Sequence, residues 1–495
     1  MSQIVVAGLT FAYEGGLENI FTNVSFRLDT EWKLGFCGRN GRGKTTFLNL
    51  LMGKYEYRGA ISANVAFEYF PFIVKDTANA TDQVLYETAR GAPAWKLKRE
   101  LSLLDVDESI LSRSYNTLSY GEQTKVLLAA LFLVEHSFLL IDEPTNHLDR
   151  WGRETVARYL NEKKGFILVS HDRAFLDACT DHTLSINRNN IEVMKGNFSV
   201  WWEQKQRRDA YEILQNERLT GEISRLEAAA KRTEKWSAEA EKRKIGIAPG
   251  KTEKSMNRRA YEGEKSRKMM ARSKAIMARR QAGIEEKTGL LKNIERADNL
   301  KIKPLSHHSE RLLSLQDVSI CYENRTIAPE TTFTLTRGER MALTGGNGSG
   351  KSSLLKLIRG ESIPYTGMLW LASGLILSYV PQDASFLTGS LDGYIESCRV
   401  DGTLIKTILR KLDFSRTQFE KDMGDYSAGQ KKKVLLARSL CEQAHAYLWD
   451  EPLNYIDVLS RAQIEDLILA FKPTLLFAEH DKMFCDRVAT CKAVL

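Results

Sequence analysis

The chain repeats itself at an offset of about 308 residues, and this repeat limits the folds open to it more than any other feature. Gly38-Arg39-Asn40-Gly41-Arg42-Gly43-Lys44-Thr45 returns as Gly345-Gly346-Asn347-Gly348-Ser349-Gly350-Lys351-Ser352. Leu118-Ser119-Tyr120-Gly121-Glu122 returns as Tyr426-Ser427-Ala428-Gly429-Gln430. Asp142-Glu143-Pro144 returns as Asp450-Glu451-Pro452, and Ser170-His171-Asp172 as Glu479-His480-Asp481. Matched order at matched spacing predicts two copies of one domain, and 495 residues are more than one core holds.

Within each copy, short apolar runs alternate with helical patterns, which predicts an α/β fold with helices covering a sheet. Phe138-Leu139-Leu140-Ile141 and Tyr447-Leu448-Trp449 read as buried strands ending at the acidic pairs. Phe166-Ile167-Leu168-Val169 and Leu475-Leu476-Phe477 read as the next strands, each ending near its histidine.

The residues between the copies differ in kind. From Glu203 to Lys303 there are 27 Lys and Arg against 16 Asp and Glu. The rest of the chain holds 44 basic against 47 acidic residues, so the whole net charge of +8 arises in this segment. Residues 205–244 and 253–300 are rich in Glu, Lys, Arg, Ala and Met, which favour helix. Leu219, Ile223, Leu226 and Ala230 make one apolar seam, and Met270, Met277, Ile284 and Leu291 another at every seventh position. Two such seams predict an antiparallel helical hairpin, with its turn at Ile245-Gly246-Ile247-Ala248-Pro249-Gly250. Forty helical residues reach roughly 60 Å, a length and one-sided charge that a mere spacer between two domains does not need. The expected division is therefore 1–204, a basic linker over 205–303 with its tip near 243–259, and 304–495.

Other classes of protein are disfavoured. The longest apolar run, Val126 to Val134, is cut by Glu135 and His136, short of the roughly 18 residues of a membrane span. The first residues show no basic region followed by an apolar stretch, so no secretory signal is expected. The seven cysteines are scattered and form no Cys-x-x-Cys pair, against a disulfide framework or a zinc site and for a reducing compartment. Cys37, beside the first phosphate loop, reads as a packing residue.

The motifs carry a definite chemistry. A Gly-x4-Gly-Lys-[Ser/Thr] loop wraps phosphates with backbone N–H groups, an approach so close that only glycine permits it. Lys44 and Lys351 are expected at the β- and γ-phosphates, and Thr45 and Ser352 at Mg²⁺, with a helix N-terminus aimed at the anion. An apolar strand ending in Asp-Glu completes such a site. Asp142 and Asp450 are expected to hold Mg²⁺, while Glu143 and Glu451 orient and deprotonate the attacking water. His171 and His480, at the ends of later strands, are placed to register the γ-phosphate. The Ser-x-Gly segments read as helix openings with hydroxyl and N–H donors for phosphate.

Taken together, these four paired motifs resemble the phosphate loop, signature, Walker B and switch histidine of ATP-binding cassette proteins. In that family the signature of one cassette caps the ATP held by the other. The resemblance therefore implies two P-loop NTPase domains joined by a helical hairpin, closing on two ATP molecules within one monomer. Lys44, Asp142 and Glu143 would pair with Ser427 and Gly429, and Lys351, Asp450 and Glu451 with Ser119 and Gly121. It further implies that Gly38, Asn40, Gly41, Gly43, Thr46, Gly345, Asn347, Gly348, Gly350 and Ser353 touch the nucleotide, that Tyr13 and Tyr322 stack on adenine, and that Gln382 reaches the metal.

Two fused cassettes and a basic helical linker resemble the ABC-F group of translation factors. The stretches from Trp32 and from Trp449 (Trp-Asp-Glu-Pro-Leu-Asn-Tyr-Ile-Asp) are similar to its Lsa-type antibiotic-resistance branch. That branch binds the bacterial 70S ribosome in the cytoplasm and protects it from lincosamides, pleuromutilins and group A streptogramins. The resemblance implies rRNA, and with it tRNA, as partners, with no membrane subunit and no DNA. Arg243, Lys244, Ile245, Ile247, Pro249, Lys251 and Lys254 would make the ribosome contact. The alternatives are a housekeeping translation factor without a drug phenotype and the motor of a membrane exporter. Relatives of the housekeeping kind tend to carry an extra arm in the first cassette. Here Lys44 to Ser119 is 75 residues and Lys351 to Ser427 is 76, so neither copy has room for an arm that the other lacks.

The chain also departs from the pattern. Where the second copy has Tyr379-Val380-Pro381-Gln382, the first has Tyr69-Phe70-Pro71-Phe72, and phenylalanine can neither ligate Mg²⁺ nor hold a water. Tyr120 and Ala428 replace the first signature glycine. These changes predict unequal hydrolysis at the two sites.

Overall fold

The computed structural model describes residues 2–14, 19–72, 74–146, 148–186, 190–245, 268, 271, 274–276, 278, 279, 302–322, 325–346 and 348–495. Two compact units result, residues 1–201 together with 297–495, and residues 202–296.

The strands of the first unit are β1 (Gln3–Phe11), β2 (Phe21–Asp29), β3 (Lys33–Cys37), β4 (Arg58–Ser62), β5 (Ala66–Phe70), β6 (Ser137–Asp142), β7 (Phe166–Val169), β8 (His182–Ile186) and β9 (Ile191–Lys195) in the first copy. The second copy has β10 (Arg311–Tyr322), β11 (Arg325–Thr336), β12 (Arg340–Thr344), β13 (Tyr365–Leu371), β14 (Leu377–Val380), β15 (Ala446–Asp450), β16 (Leu475–Ala478) and β17 (Cys491–Val494). Among the described residues each copy builds a larger sheet and a smaller antiparallel one, the larger sheet of the first copy having one more strand, the antiparallel β9. The larger sheets run β5-β6-β7-β3-β8-β9 and β14-β15-β16-β12-β17, and the smaller ones β2-β1-β4 and β11-β10-β13.

The sequence explains the difference between the sheets. β7 (Phe-Ile-Leu-Val) and β16 (Leu-Leu-Phe-Ala) are buried at every position, as parallel strands covered on both faces must be. β1 instead alternates at its start, with Ile4 and Val6 buried and Gln3 exposed, which suits an antiparallel sheet with one wet face. Leu140, Ile167, Leu34 and Phe47 join one core, and Tyr447, Trp449, Phe477 and Leu435 another.

Strand order places the chemistry. β7 lies between β6 and β3, with Val169 opposite both Asp142 and Phe36. The chain leaving β7 thus emerges between the acidic pair after β6 and the phosphate loop after β3. β16 repeats this, with Ala478 opposite Asp450 and Leu343. All three segments leave the carboxyl ends of parallel strands, where open α/β sheets hold ligands.

A helix that starts at Phe198, within the first unit, runs 48 residues to Ile245 and makes up the described start of the second. It begins seven residues before the expected linker, because Phe198 and Trp201 are themselves buried with ring centroids 5.4 Å apart. Residues 268, 271, 274–276, 278 and 279 are helical too. The second apolar seam, the side chains of Leu226 and Ala230, and the tip from 246 to 259 lie outside the described residues. Among the described residues no helix is long and apolar enough to cross a membrane.

Candidate nucleotide sites

The two phosphate loops have the backbone their sequences require. Gly41, Gly43, Gly348 and Gly350 sit at φ of 80°, 93°, 78° and 92°, a region that side chains disfavour. A Cβ on Gly43 would stand 2.6 Å from Ile20, and one on Gly345 would stand 2.6 Å from Ser349 Oγ and 2.7 Å from the Leu495 carbonyl. Helices Lys44–Leu51 and Lys351–Arg359 follow, neither with a side-chain cap at its N-terminus. Their first N–H groups are thus left to an anion. Lys44 Nζ donates to the Gly38 carbonyl at 2.8 Å, and Lys351 Nζ to the Gly346 carbonyl at 2.7 Å. Each ammonium is folded into its own loop, and burial lowers the pKa of both.

The next residue carries the hydroxyl. Thr45 Oγ1 donates to Asp142 Oδ2 at 2.9 Å, and Ser352 Oγ to Asp450 Oδ1 at 3.0 Å. Asp450 Oδ2 is buried with no hydrogen-bond partner among the described residues. A hydroxyl beside a buried carboxylate with a spare oxygen is the hard-oxygen donor set that Mg²⁺ takes, so these residues fit the ion the motifs imply. Burial pushes the Asp142 carboxyl up, and that of Asp450 to about 6, a cost that a bound dication would reverse.

Glu143 and Glu451 both adopt left-handed backbone, φ 52° and 45°. Such a conformation costs on the order of 1 kcal/mol or more for a non-glycine residue and is held only when the surroundings fix it. Here Glu143 N–H donates to the Val169 carbonyl at 2.9 Å, and Glu451 N–H to the Ala478 carbonyl at 3.0 Å. The turn aims each carboxylate at the histidine after the neighbouring strand. His171 Nε2 lies 3.3 Å from Glu143 Oε1, and His480 Nε2 lies 3.4 Å from Glu451 Oε1.

Equal distances hide unequal electrostatics. Burial, then the Asp142 charge, push Glu143 up to about 8. Burial, with Lys44 and Arg461 adding positive charge, holds His171 well below the usual imidazole range. Burial also opposes the charge on Glu451, but His480 and a side-chain hydrogen bond from Gln382 outweigh it and bring that carboxyl to about 2. Phe72 stands in the first cassette where Gln382 stands in the second, and it has no amide to offer.

The signature segments open helices Tyr120–Leu131 and Ala428–Cys441 with capping boxes, Ser119 with Glu122 and Ser427 with Gln430. Each faces the opposite cassette. Ser119, Tyr120, Gly121 and Glu122 line one cavity of about 1070 Å³ with Gly348, Lys351, Ser352, Ser353, Gln382, Glu451 and His480. At the other site Gly429 is buried so closely that a Cβ would stand 2.9 Å from Asn40 Nδ2. Asn40 Nδ2 also donates to the Tyr455 carbonyl at 2.7 Å across the cassette boundary. Tyr13, half exposed, shares a hydrogen bond of 2.8 Å with Thr46 Oγ1 and lies beside Phe11 and Tyr55. Cys37 is buried and its thiol is pushed up to about 12 by that burial. Asn347, the side chains of Tyr322 and Arg243 to Ile245, and Ile247, Pro249, Lys251 and Lys254 lie outside the described residues.

Lys433, Arg461, Arg173 and Glu465 lie at the sites yet carry no motif signal. Lys433 binds Asp457 at 2.9 Å, and Arg461 binds Asp481 at 2.9 Å, both pairs buried. Burial works against the Asp457 charge, yet Lys433 and the Ser460 N–H hold it far below the carboxylate range. Arg173 of the first cassette meets Glu465 of the second, also buried.

Comparison with known proteins agrees with this architecture. The ABC transporter family profile matches residues 21–146 and 328–454, just over half of the chain. The ribosome protection protein VmlR of Bacillus subtilis is 27% identical over 99% of this chain and 86% of its own length. The ATP-binding protein Uup of Caulobacter vibrioides is 27% identical over 97% of this chain and 75% of its own. The energy-dependent translational throttle protein EttA of Haemophilus influenzae is 28% identical over 75% of this chain, which spans 62% of EttA. The fold is shared with archaeal ribosome recycling factor aABCE1, solved with ribosomal stalk protein aP1, at a TM-score of 0.62, 19% identity and coverage of 98% and 89%. With the family profile matching twice, and phosphate loop, acidic pair and signature in each copy, the chain belongs to the ABC transporter family as a tandem ATPase of two cassettes.

Proposed function

We propose that this protein is an ATP-gated ribosome-binding factor of the ABC-F group that protects the bacterial ribosome from antibiotics of the peptidyl-transferase centre. One observation carries the reading: both cassettes lie in one chain with each signature helix across the other's phosphate loop, and the segment between the copies, residues 203–303, holds the whole basic excess. Such a device needs no membrane subunit, and its basic segment suits a polyanion such as rRNA. Similarity to VmlR over almost the whole chain supports the drug-protecting branch.

In this reading ATP binding closes the cassettes and hydrolysis releases them, in the cytoplasm and within a monomer. Lys44 and Lys351 turn from their loop carbonyls to the β- and γ-phosphates. Gly38, Gly41, Gly43, Gly345, Gly348 and Gly350 bring backbone N–H groups to the same phosphates, with Thr46 and Ser353 beside them. Thr45 with Asp142, and Ser352 with Asp450 and Gln382, would hold Mg²⁺, which neutralises charge on the phosphates. Glu143 and Glu451 take the proton of the attacking water, and His171 and His480 orient the carboxylate they face. Ser427 and Gly429 cap the nucleotide on Lys44, and Ser119 and Gly121 cap that on Lys351.

Lincosamides, pleuromutilins and group A streptogramins are the expected drug classes, displaced when the linker tip reaches their site beside the tRNA. A housekeeping translation factor is the second reading, favoured by the likeness to the translational throttle protein EttA at 28% identity. Expression in a drug-susceptible Gram-positive host separates the two. The first predicts raised inhibitory concentrations for these classes, abolished by Glu143→Gln with Glu451→Gln. The second predicts no change for any class.

A further inference from the structure

Asp413 reaches across the cassette boundary to the first phosphate loop. Its Oδ1 lies 3.3 Å from Arg42 Nη2 and 3.9 Å from Arg39 Nη1. Arg39 is 6% exposed and Asp413 26%, so the contact is largely shielded from water. The aspartate is held firmly. It follows helix Gly402–Lys411 in left-handed backbone, φ 67°, with its N–H on the Arg410 carbonyl at 3.0 Å. Lys433, on the signature helix, donates to the Leu412 carbonyl next to it at 2.7 Å. The same signature helix therefore caps the Lys44 site and fixes the residue that grips its loop.

The other site has half of this arrangement. By the repeat, Asp105 stands where Asp413 stands, again in left-handed backbone, φ 51°. It lines the same cavity as Ser349. Opposite it, however, Gly346 and Ser349 replace Arg39 and Arg42. The Asp105 carboxylate turns to its own cassette, 3.1 Å from Thr155 Oγ1 and 3.7 Å from Arg158.

We infer that Asp413 is a positioning residue for the Lys44 site alone: by holding Arg39 and Arg42 from the opposite cassette, it sets the phosphate loop for ATP and ties that loop to the second signature helix. Two guanidiniums beside Lys44 concentrate positive charge in the loop, a carboxylate from the opposite cassette offsets part of it, and a shielded pair at an interface is worth more than an exposed one. The inference rests on the assignment of Glu143 and Glu451 as the hydrolytic carboxylates.

The test uses single-site enzymes. Glu451→Gln leaves turnover to the Lys44 site, and Glu143→Gln leaves it to the Lys351 site. Adding Asp413→Ala to the first is expected to raise KM for ATP about tenfold with kcat changed less than about twofold, and to leave KM in the second within about twofold. Asp413→Glu, which keeps the charge, is expected to restore most of the lost KM. An unchanged KM at the Lys44 site, or an equal rise at both, overturns the inference. The double Gln protein, titrated with a fluorescent ATP analogue, gives a reading independent of hydrolysis. There Asp413→Ala is expected to weaken one of two binding steps about tenfold, and two unaltered steps overturn the inference. Hydrolysis surviving in the double Gln protein would count against the carboxylate assignment, not against Asp413.

Discussion

His480 Nε2 lies 3.4 Å from Glu451 Oε1, with Gln382 beside them favouring the charged carboxylate, and in the repeat Phe72 holds the position of Gln382 in the first cassette. Two sites with matching distances thus differ in what surrounds the carboxylate. Glu143→Gln and Glu451→Gln, made singly, are expected to leave residual ATPase rates differing by at least about threefold. Gln382→Phe is expected to slow the Lys351 site by about tenfold, since it removes a neutral partner that favours the charged base. Steady-state ATPase assays decide this, and equal residual rates would show that Phe72 has no consequence.

A second prediction concerns acid. Asp457 has a folded pKa held below its unfolded value, so it contributes stability that is full above the unfolded value near 3.8. That contribution is lost as pH falls through the folded value. Asp457→Asn is expected to destabilise the protein at pH 7 by about 2–4 kcal/mol, since it leaves Lys433 buried without its counter-charge. The gap should narrow steadily below about pH 4, as the unfolded wild-type chain protonates this carboxyl while the folded protein keeps it charged. Urea unfolding at pH 7 and pH 3 measures both values, and a gap independent of pH would refute the ion-pair account.

Much of this was legible in the sequence, because the motif residues meet through strand order. The run Phe138 to Ile141 predicts a strand ending at Asp142, and β6 is that strand. His171 sits where a strand between the acidic pair and the phosphate loop must deliver it. The partners of variable motif positions were not legible. Arg42 and Asp413 are 371 residues apart, and Asn40 and Tyr455 are 415 apart. No local periodicity links such pairs, since only the closing of one cassette on the other creates them. The start of the helix at Phe198 is hidden in the sequence for a different reason. Charge marks where the basic segment begins, but Phe198 and Trp201 extend the same helix with buried aromatic residues that composition assigns to a cassette.

In the proposed function the linker's charge sets affinity and its tip sets the effect at the drug site. Between positions 242 and 259 the sequence carries seven basic residues, Lys242, Arg243, Lys244, Lys251, Lys254, Arg258 and Arg259, and one acidic residue, Glu253. Replacing Arg243, Lys244, Lys251 and Lys254 with alanine is expected to weaken ribosome binding. It should also lower the slope of log affinity against log salt by about 3, from four lost counterions. Deleting residues 246–249, which are small and apolar, is expected to leave binding and ATPase activity within about twofold while abolishing resistance. Full resistance from the shortened protein would reduce the segment to an anchor.

In the proposed cycle ATP closes the cassettes on the ribosome and hydrolysis frees them. Its most direct test is co-sedimentation of the Glu143→Gln, Glu451→Gln protein with 70S ribosomes in ATP. The account predicts that this double variant pellets with ribosomes at least about tenfold more than wild type and slows translation, because ATP still binds but water is no longer activated. A double variant that pellets no better than wild type would contradict it.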